Sequence, residues 1–423
     1  MTNRREFLKK ATATTAAAFT FSALNTHGNY HKSMSRSHDK IEPFSNFSNE
    51  LSEPLTVVRI ELLERDSNHL CRVTLSNGVE GYAIGNGRLK STLTLFEKKV
   101  PRFFLKRDLR DIAEFHTEFY YFNEARIYKF LGLPIWNSYA VAETAVLDAI
   151  GKTTGKNIRH HLGKTIRKKI DIYASSLNRE GKPEDEIAWL KARCDILGAR
   201  AIKIKIGGRM SRNKDASPGW TENLVKTARE TFGDDCTIYV DANGSYDVPK
   251  AIEIGRFLEE YNVAFYEEPV EWPDFEGTKK VNDQLSVPIA GGEQDTDLFK
   301  WKWMIKNRAV DILQPDIYYN GGLLRTIHVA NMAAEYGIPT TTHNPRNNPE
   351  YSNILALGAV LPSLGAYQEF RAEEPKNNAI PYLPLIKAKN GKVDVLDQPG
   401  MGITFDPDYV KTMEPIIRKK AKS

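Results

Sequence analysis

A parallel β/α barrel of the TIM type, preceded by a smaller α+β domain, is the α/β fold that this sequence predicts, and three observations carry the prediction. From Ile170 onward short apolar strands recur with starts about 23 to 36 residues apart and helical patterns between most pairs, the period of a repeated βα unit. Eight such strands suit a closed barrel, and no Gly-x-Gly-x-x-Gly follows the first of them to suggest an open doubly wound sheet. The charged residues also gather at the C-terminal ends of the strands, where a β/α barrel keeps its chemistry.

The elements follow in chain order. Residues 1–24 begin with Arg4-Arg5-Glu6-Phe7-Leu8-Lys9-Lys10 and continue into a weakly apolar run rich in Ala and Thr. That order of features is expected of a twin-arginine export signal and of a periplasmic protein; the run is too short and polar to span a bilayer. Residues 25–53 are polar and aperiodic and are expected to be a linker. Residues 54–168 hold strand patterns at Leu55–Leu62 and Cys71–Leu75, then helical ones ending in Ala140–Lys152, which together give the α+β domain. Residues 169–371 are the barrel, and 372–423 a C-terminal segment.

Composition narrows the function. Of the 59 Lys and Arg and the 54 Asp and Glu, four basic and one acidic lie within residues 1–24, so the remainder is balanced to +2. A near-neutral chain without a basic stripe gives no reason to expect nucleic acid. Cys71, Cys194 and Cys236 are odd in number and far apart, which fits neither a disulfide framework nor a zinc site.

The strand ends carry the chemistry. In Lys203-Ile204-Lys205 the repeat of two sends both ammonium groups into the barrel while Ile202, Ile204 and Ile206 face the helices. Lysine is seldom buried without a partner or a task. The next three strands end in Asp241, Glu267 and Glu293, one acid each; three converging carboxylates repel one another unless a cation sits among them. All-oxygen ligation suits Mg²⁺, with Mn²⁺ the other candidate. Of the pair Glu267-Glu268 the first is expected to be the ligand, the second facing the opposite way. Asp316 ends the sixth strand and His343 the seventh, and a carboxylate on one imidazole nitrogen orients the ring for acid–base work. Glu369, on the eighth, could donate a hydrogen bond to a substrate carboxylate if protonated. Together these groups suit removal of a proton beside a carboxylate, where an electrostatic field must stabilise the ene-diolate as it forms.

In order and spacing, Ala-Glu-Thr-Ala-Val-Leu-Asp-Ala-Ile-Gly-Lys, Lys-Ile-Lys, Val-Asp-Ala-Asn-Gly, Tyr-Glu-Glu-Pro, Ala-Gly-Gly-Glu, Gln-Pro-Asp with Gly321-Gly322, and Thr-His-Asn resemble the enolase superfamily, in its mandelate racemase branch. The resemblance runs from about Leu55 to Asp406. It implies a (β/α)7β barrel capped by an α+β domain to which the C-terminal segment returns. It further implies Mg²⁺ on Asp241, Glu267 and Glu293, and acid–base catalysis by Lys205 and the His343–Asp316 dyad. Lys203 would contact the substrate carboxylate and Glu369 act as an electrophilic acid. The dyad argues against the branches that use a second lysine on that side.

A metal-dependent dehydratase acting on a sugar acid or uronate is the expected function, with a racemase or epimerase as the alternative. A sugar-acid binding protein on a retired barrel is the competitor from another class. Export directs the substrate expectation to the non-reducing-end uronate of an oligosaccharide. A small-molecule or oligosaccharide carboxylate is the expected partner; homo-oligomerisation is left open.

Overall fold

Alternating apolar residues bury one face of a three-stranded antiparallel meander, Val57–Arg65 (β1), Asn68–Leu75 (β2) and Glu80–Gly85 (β3). The computed structural model describes residues 47, 50–374 and 379–421; the expected export signal and most of the expected linker lie outside them. Asp66 and Ser67, both at positive φ, join β1 to β2 in the tight turn that matches strand twist. After the helix Leu93–Phe104 (α1), the long helix Leu133–Thr154 (α2) packs across the meander. Gly81 permits that approach, because a Cβ there would overlap the Ala145 and Ala149 backbone. From Ile135 to Gly151 every residue of α2 is buried, polar ones included, so its stripe pattern is blurred.

The barrel alternates strands and helices as the rhythm predicts. Its strands are Lys169–Ser175 (β4), Ala201–Lys205 (β5), Thr237–Asp241 (β6), Phe265–Glu267 (β7), Ile289–Gly291 (β8) and Ile312–Leu313 (β9), all parallel. Helices Pro183–Leu197 (α3), Trp220–Phe232 (α4), Val248–Glu260 (α5), Phe275–Asn282 (α6), Leu298–Lys306 (α7) and Leu323–Ala334 (α8) follow them in turn. The seventh strand is reduced to isolated bridges at Thr340 and His343. Helix Tyr351–Val360 (α9) follows, and Gln368–Arg371 (β10) closes the ring by pairing with β4. This is the (β/α)7β plan. Tyr173, Tyr239 and Phe265 fill the interior, the last two stacked 3.8 Å apart.

Two boundaries differ from the expectation. The end of the expected linker is packed rather than free: Phe47 stacks on His161, with ring centroids 5.5 Å apart, and Leu51 is buried, because both side chains are apolar. The C-terminal segment serves both domains. Glu414–Lys420 (β13) returns to the free edge of β1, with Arg59 opposite Lys420. Before that, Ala388–Lys389 (β11) and Lys392–Asp394 (β12) form a hairpin whose second strand pairs with β4 of the barrel. The three cysteines are buried and unpaired.

The two domains meet around residues 316–324. Glu143 of α2 accepts the Leu323 N–H at 2.6 Å and so caps α8. Gly321 and Gly322 lie in the left-handed region, and a Cβ on either would overlap Trp136 or Glu143. The paired glycines therefore let the cap press on the barrel. Among the described residues no helix is long and apolar enough to cross a membrane.

Candidate active site

Register brings the acids together. Lys205 pairs with Asp241 across β5 and β6, and Asp241 with Glu267 across β6 and β7, so three functional groups stand at one level of the barrel mouth. Glu293 comes two residues after the end of β8. Asp241, Glu267 and Glu293 are all buried, and each offers an oxygen within 4.8 Å of the other two. Oxygens around a Mg²⁺ with bonds of about 2.1 Å lie roughly 3–4 Å apart, so a small contraction would complete the set.

Each carboxylate is oriented by a neighbouring amide. Asn243 donates from its side chain to Asp241 Oδ2 at 3.0 Å and from its backbone to Oδ1 at 2.7 Å. Gln314 donates to Glu267 Oε2 at 2.9 Å and Gln294 to Glu293 Oε1 at 2.6 Å. Of the remaining oxygens, Glu267 Oε1 is buried without a hydrogen bond, and Glu293 Oε2 has only the His343 imidazole within ion-pair reach. Buried acceptors are rarely left so. Donor type, spacing and the orphaned oxygen all fit a divalent cation. Among the described residues this is the acid or histidine cluster with metal-holding geometry.

The two lysines differ. Lys203 is fully buried, 2.8 Å from Glu267 Oε2 and 3.0 Å from Glu369 Oε1. Burial works against its charge, but Glu267 and Glu369 outweigh it and hold its pKa well above the ordinary value. Among the described residues the Lys205 ammonium bonds Asp241 alone. Burial would raise the pKa of Asp241, yet Lys205, Lys203 and Arg179 together pull it well down. Glu267 has no such surplus: burial and the Asp241 charge push it up to about 7.

The histidine dyad forms as expected. His343 Nδ1 lies 2.9 Å from Asp316 Oδ2, and the N–H groups of Tyr318 and Tyr319 bind the other Asp316 oxygen at 2.8 and 3.0 Å. His343 Nε2 is 3.1 Å from Glu293 Oε2. Burial opposes the imidazolium, but Glu293 and Asp316 raise its pKa above the ordinary value. Arg346 stands 3.7 Å from Asp316 and 3.1 Å from Glu350, extending the dyad.

Glu369 accepts from Ser175 Oγ and the Asn344 N–H, both at 2.7 Å, in addition to facing Lys203. Burial would raise its pKa, but Lys203 and His343 bring it down to about 2. In this arrangement it is an acceptor, not the protonated donor expected of it.

Glu268 departs from the sequence expectation. Strand β7 ends at Glu267, and Glu268 takes a positive φ of 41°, so alternation stops there. Its carboxylate does not face away; Asn243 approaches it at 3.4 Å, and after burial the charges of Glu293 and Asp241 raise its pKa well up. Asn243, Gln314, Gln294 and Arg179 were also missed, although three of them adjoin or lie within the motifs that carry the acids. Arg179 reaches from the loop after β4 to bind Asn243 Oδ1 at 2.8 Å.

A family model described as Enolase C-terminal domain-like matches residues 187–409, just over half of the chain. A solved structure of a protein described as a racemase, from Roseobacter denitrificans, is 32% identical with a TM-score of 0.81, covering 86% of this chain and 100% of that one. This chain belongs to the enolase superfamily. A magnesium-complexed mandelate racemase/muconate lactonizing protein from Paracoccus denitrificans shares the fold at 22% identity, with a TM-score of 0.78 over 86% of this chain and 99% of that one. Among curated relatives, the arabinonate dehydratase of Saccharolobus solfataricus is 28% identical over 335 residues, which span 79% of this chain and 87% of the relative.

Proposed function

We propose that the protein is a Mg²⁺-dependent dehydratase of sugar acids, eliminating water across the α and β carbons beside a carboxylate. One observation carries the reading: Lys205 and His343 each touch a different member of the acid triad, Asp241 and Glu293, and so flank it. A molecule whose carboxylate lies at the triad would have an α-carbon between two proton-transfer groups. The arabinonate dehydratase relative supports the same reaction class.

The divalent cation, when bound by Asp241, Glu267 and Glu293, would neutralise charge on the substrate carboxylate and so make the α-proton more acidic. Lys203, fixed by Glu267 and Glu369, would bind a carboxylate oxygen without exchanging its own proton. Lys205 Nζ would take the α-proton. His343, held by Asp316 through Nδ1, would give its Nε2 proton to the β-hydroxyl as the carbon–oxygen bond breaks. The hydroxyl leaves as water, and the enol that remains tautomerises to a 2-keto-3-deoxy acid. The flanking pair also suits a second reading, 1,1-proton transfer in an epimerase, in which the second group returns a proton to the opposite face.

The expected export signal supports a more specific substrate, a hexuronate at the non-reducing end of an oligosaccharide met in the periplasm. Loss of the C5 proton and the C4 hydroxyl would leave a 4,5-unsaturated uronyl group. Incubation with sugar acids and uronate oligosaccharides in heavy water with Mg²⁺, followed by NMR and ultraviolet absorbance, tests all of this. Keto-deoxy or unsaturated product, lost in both Lys205→Ala and His343→Asn, is the expected result. Deuterium uptake without elimination selects the epimerase; neither uptake nor product ends the enzyme reading.

A further inference from the structure

The cap lowers one cation onto the site. Asn86, Gly87 and Arg88 follow β3, and the loop is pinned at its base: Asn86 Nδ2 donates to the buried Asn137 Oδ1 at 2.5 Å, and the Arg88 N–H to Asn86 Oδ1 at 3.0 Å. From that anchor the Arg88 guanidinium lies over the Tyr319 ring, 4.6 Å from its centroid. Tyr319 is buried, and its ring lies 6.0 Å from the His343 imidazole. Arg88 is therefore one aromatic ring away from a catalytic group, though it belongs to the other domain.

Its partners set it apart from the other cations of the mouth. Lys203 and Lys205 face triad carboxylates, Arg346 faces Glu350 and Asp316, and Arg179 gives its donors to Asn243 Oδ1 and backbone carbonyls. Among the described residues Arg88 has no ion pair; it is exposed, and its guanidinium contact is with the Tyr319 ring. A guanidinium held over an aromatic ring keeps N–H donors available for a carboxylate. Contact with the Tyr319 ring limits its movement, so less freedom is lost when an anion arrives.

We propose that Arg88 determines specificity by binding a second carboxylate, at the end of the substrate remote from the triad. The inference rests on the dehydratase reading and sharpens it: the preferred substrates are dicarboxylates. The second carboxylate could be the terminal acid of an open-chain sugar diacid or the carboxylate of the next uronate in an oligosaccharide. Both offer Arg88 the same bidentate contact.

The test compares KM and kcat of the wild type, Arg88→Gln and Arg88→Lys on three substrates: sugar monoacids, open-chain sugar diacids and uronate disaccharides. Arg88→Gln is expected to raise KM about 10- to 100-fold for whichever dicarboxylate the wild type prefers, with kcat little changed and the monoacids unaffected. Arg88→Lys should restore part of the loss, since it keeps the charge without the fork. The substrate that shows the effect identifies the source of the second carboxylate. An unchanged KM, or an equal loss on all three substrates, overturns the proposal. A wild type that turns over none of them and exchanges no deuterium overturns the dehydratase reading instead.

Discussion

Among the carboxylates that this protein buries completely, Glu143 and Asp241 treat the charge in opposite ways. At the domain junction Glu143 stands among backbone N–H groups, and burial pushes its pKa up to about 8. The Leu323 and Leu324 N–H groups and Arg325 favour its charge but do not outweigh burial, so it can take a proton. At the barrel mouth Asp241 is buried just as deeply, yet Lys205, Lys203 and Arg179 keep it ionised. A buried acid that only joins two domains can be neutral. Asp241, placed to hold a cation, has companions that forbid neutrality, whereas Glu267 beside it, at about 7, lacks that surplus.

The contrast is broken most severely by Asp241→Asn. Loss of a ligand charge should lower kcat/KM by more than about 1,000-fold and abolish Mg²⁺ binding by calorimetry. The metal-free protein should also melt lower than the wild type, because the change leaves Lys205 and Lys203 buried without the Asp241 charge. A lower Tm with Mg²⁺ binding retained would make Asp241 a structural ion-pair partner only. Glu143→Ala should have that structural profile. Taking the acceptor from the Leu323 N–H should cost about 1–3 kcal/mol in urea unfolding, with Mg²⁺ affinity retained. Loss of Mg²⁺ affinity in that variant would mean that the junction supports the metal cluster directly.

The smallest effect is one of pH. Because Glu143 has a pKa of about 8 in the folded chain against an ordinary 4.5, the folded state binds the extra proton between those values. Its contribution to stability is full below the lower value and is lost as pH rises through the upper one. Glu143→Gln, which cannot ionise, should give a flatter dependence of Tm on pH than the wild type between about pH 5 and about pH 9. Parallel curves would show that Glu143 is charged throughout.

The acids, both lysines and the His343–Asp316 dyad were legible in the sequence because a parallel barrel reduces their placement to strand order and a repeat of two. Where the backbone leaves that repeat, legibility ends. Glu268 was misplaced because its left-handed conformation is set by the turn, which the residue letters do not specify. Gly321-Gly322 could be noticed as a motif, but the side chains that require it, Trp136 and Glu143, come from another domain. Arg88 left no trace, since its neighbour Tyr319 lies across the domain junction. Amides such as Gln314 and Gln294 gave only position, without periodicity or charge to mark them.

The strand β13 carries a consequence for biosynthesis. Arg418 on it binds Glu61 of β1 across 357 residues of sequence. While the ribosome is still making the intervening barrel, β1 therefore exposes an unpaired edge, a ready template for pairing with the wrong chain. The cap that carries Arg88 would be finished only after the barrel beneath it, so a stalled or truncated chain would hold an acid cluster under an open-edged roof.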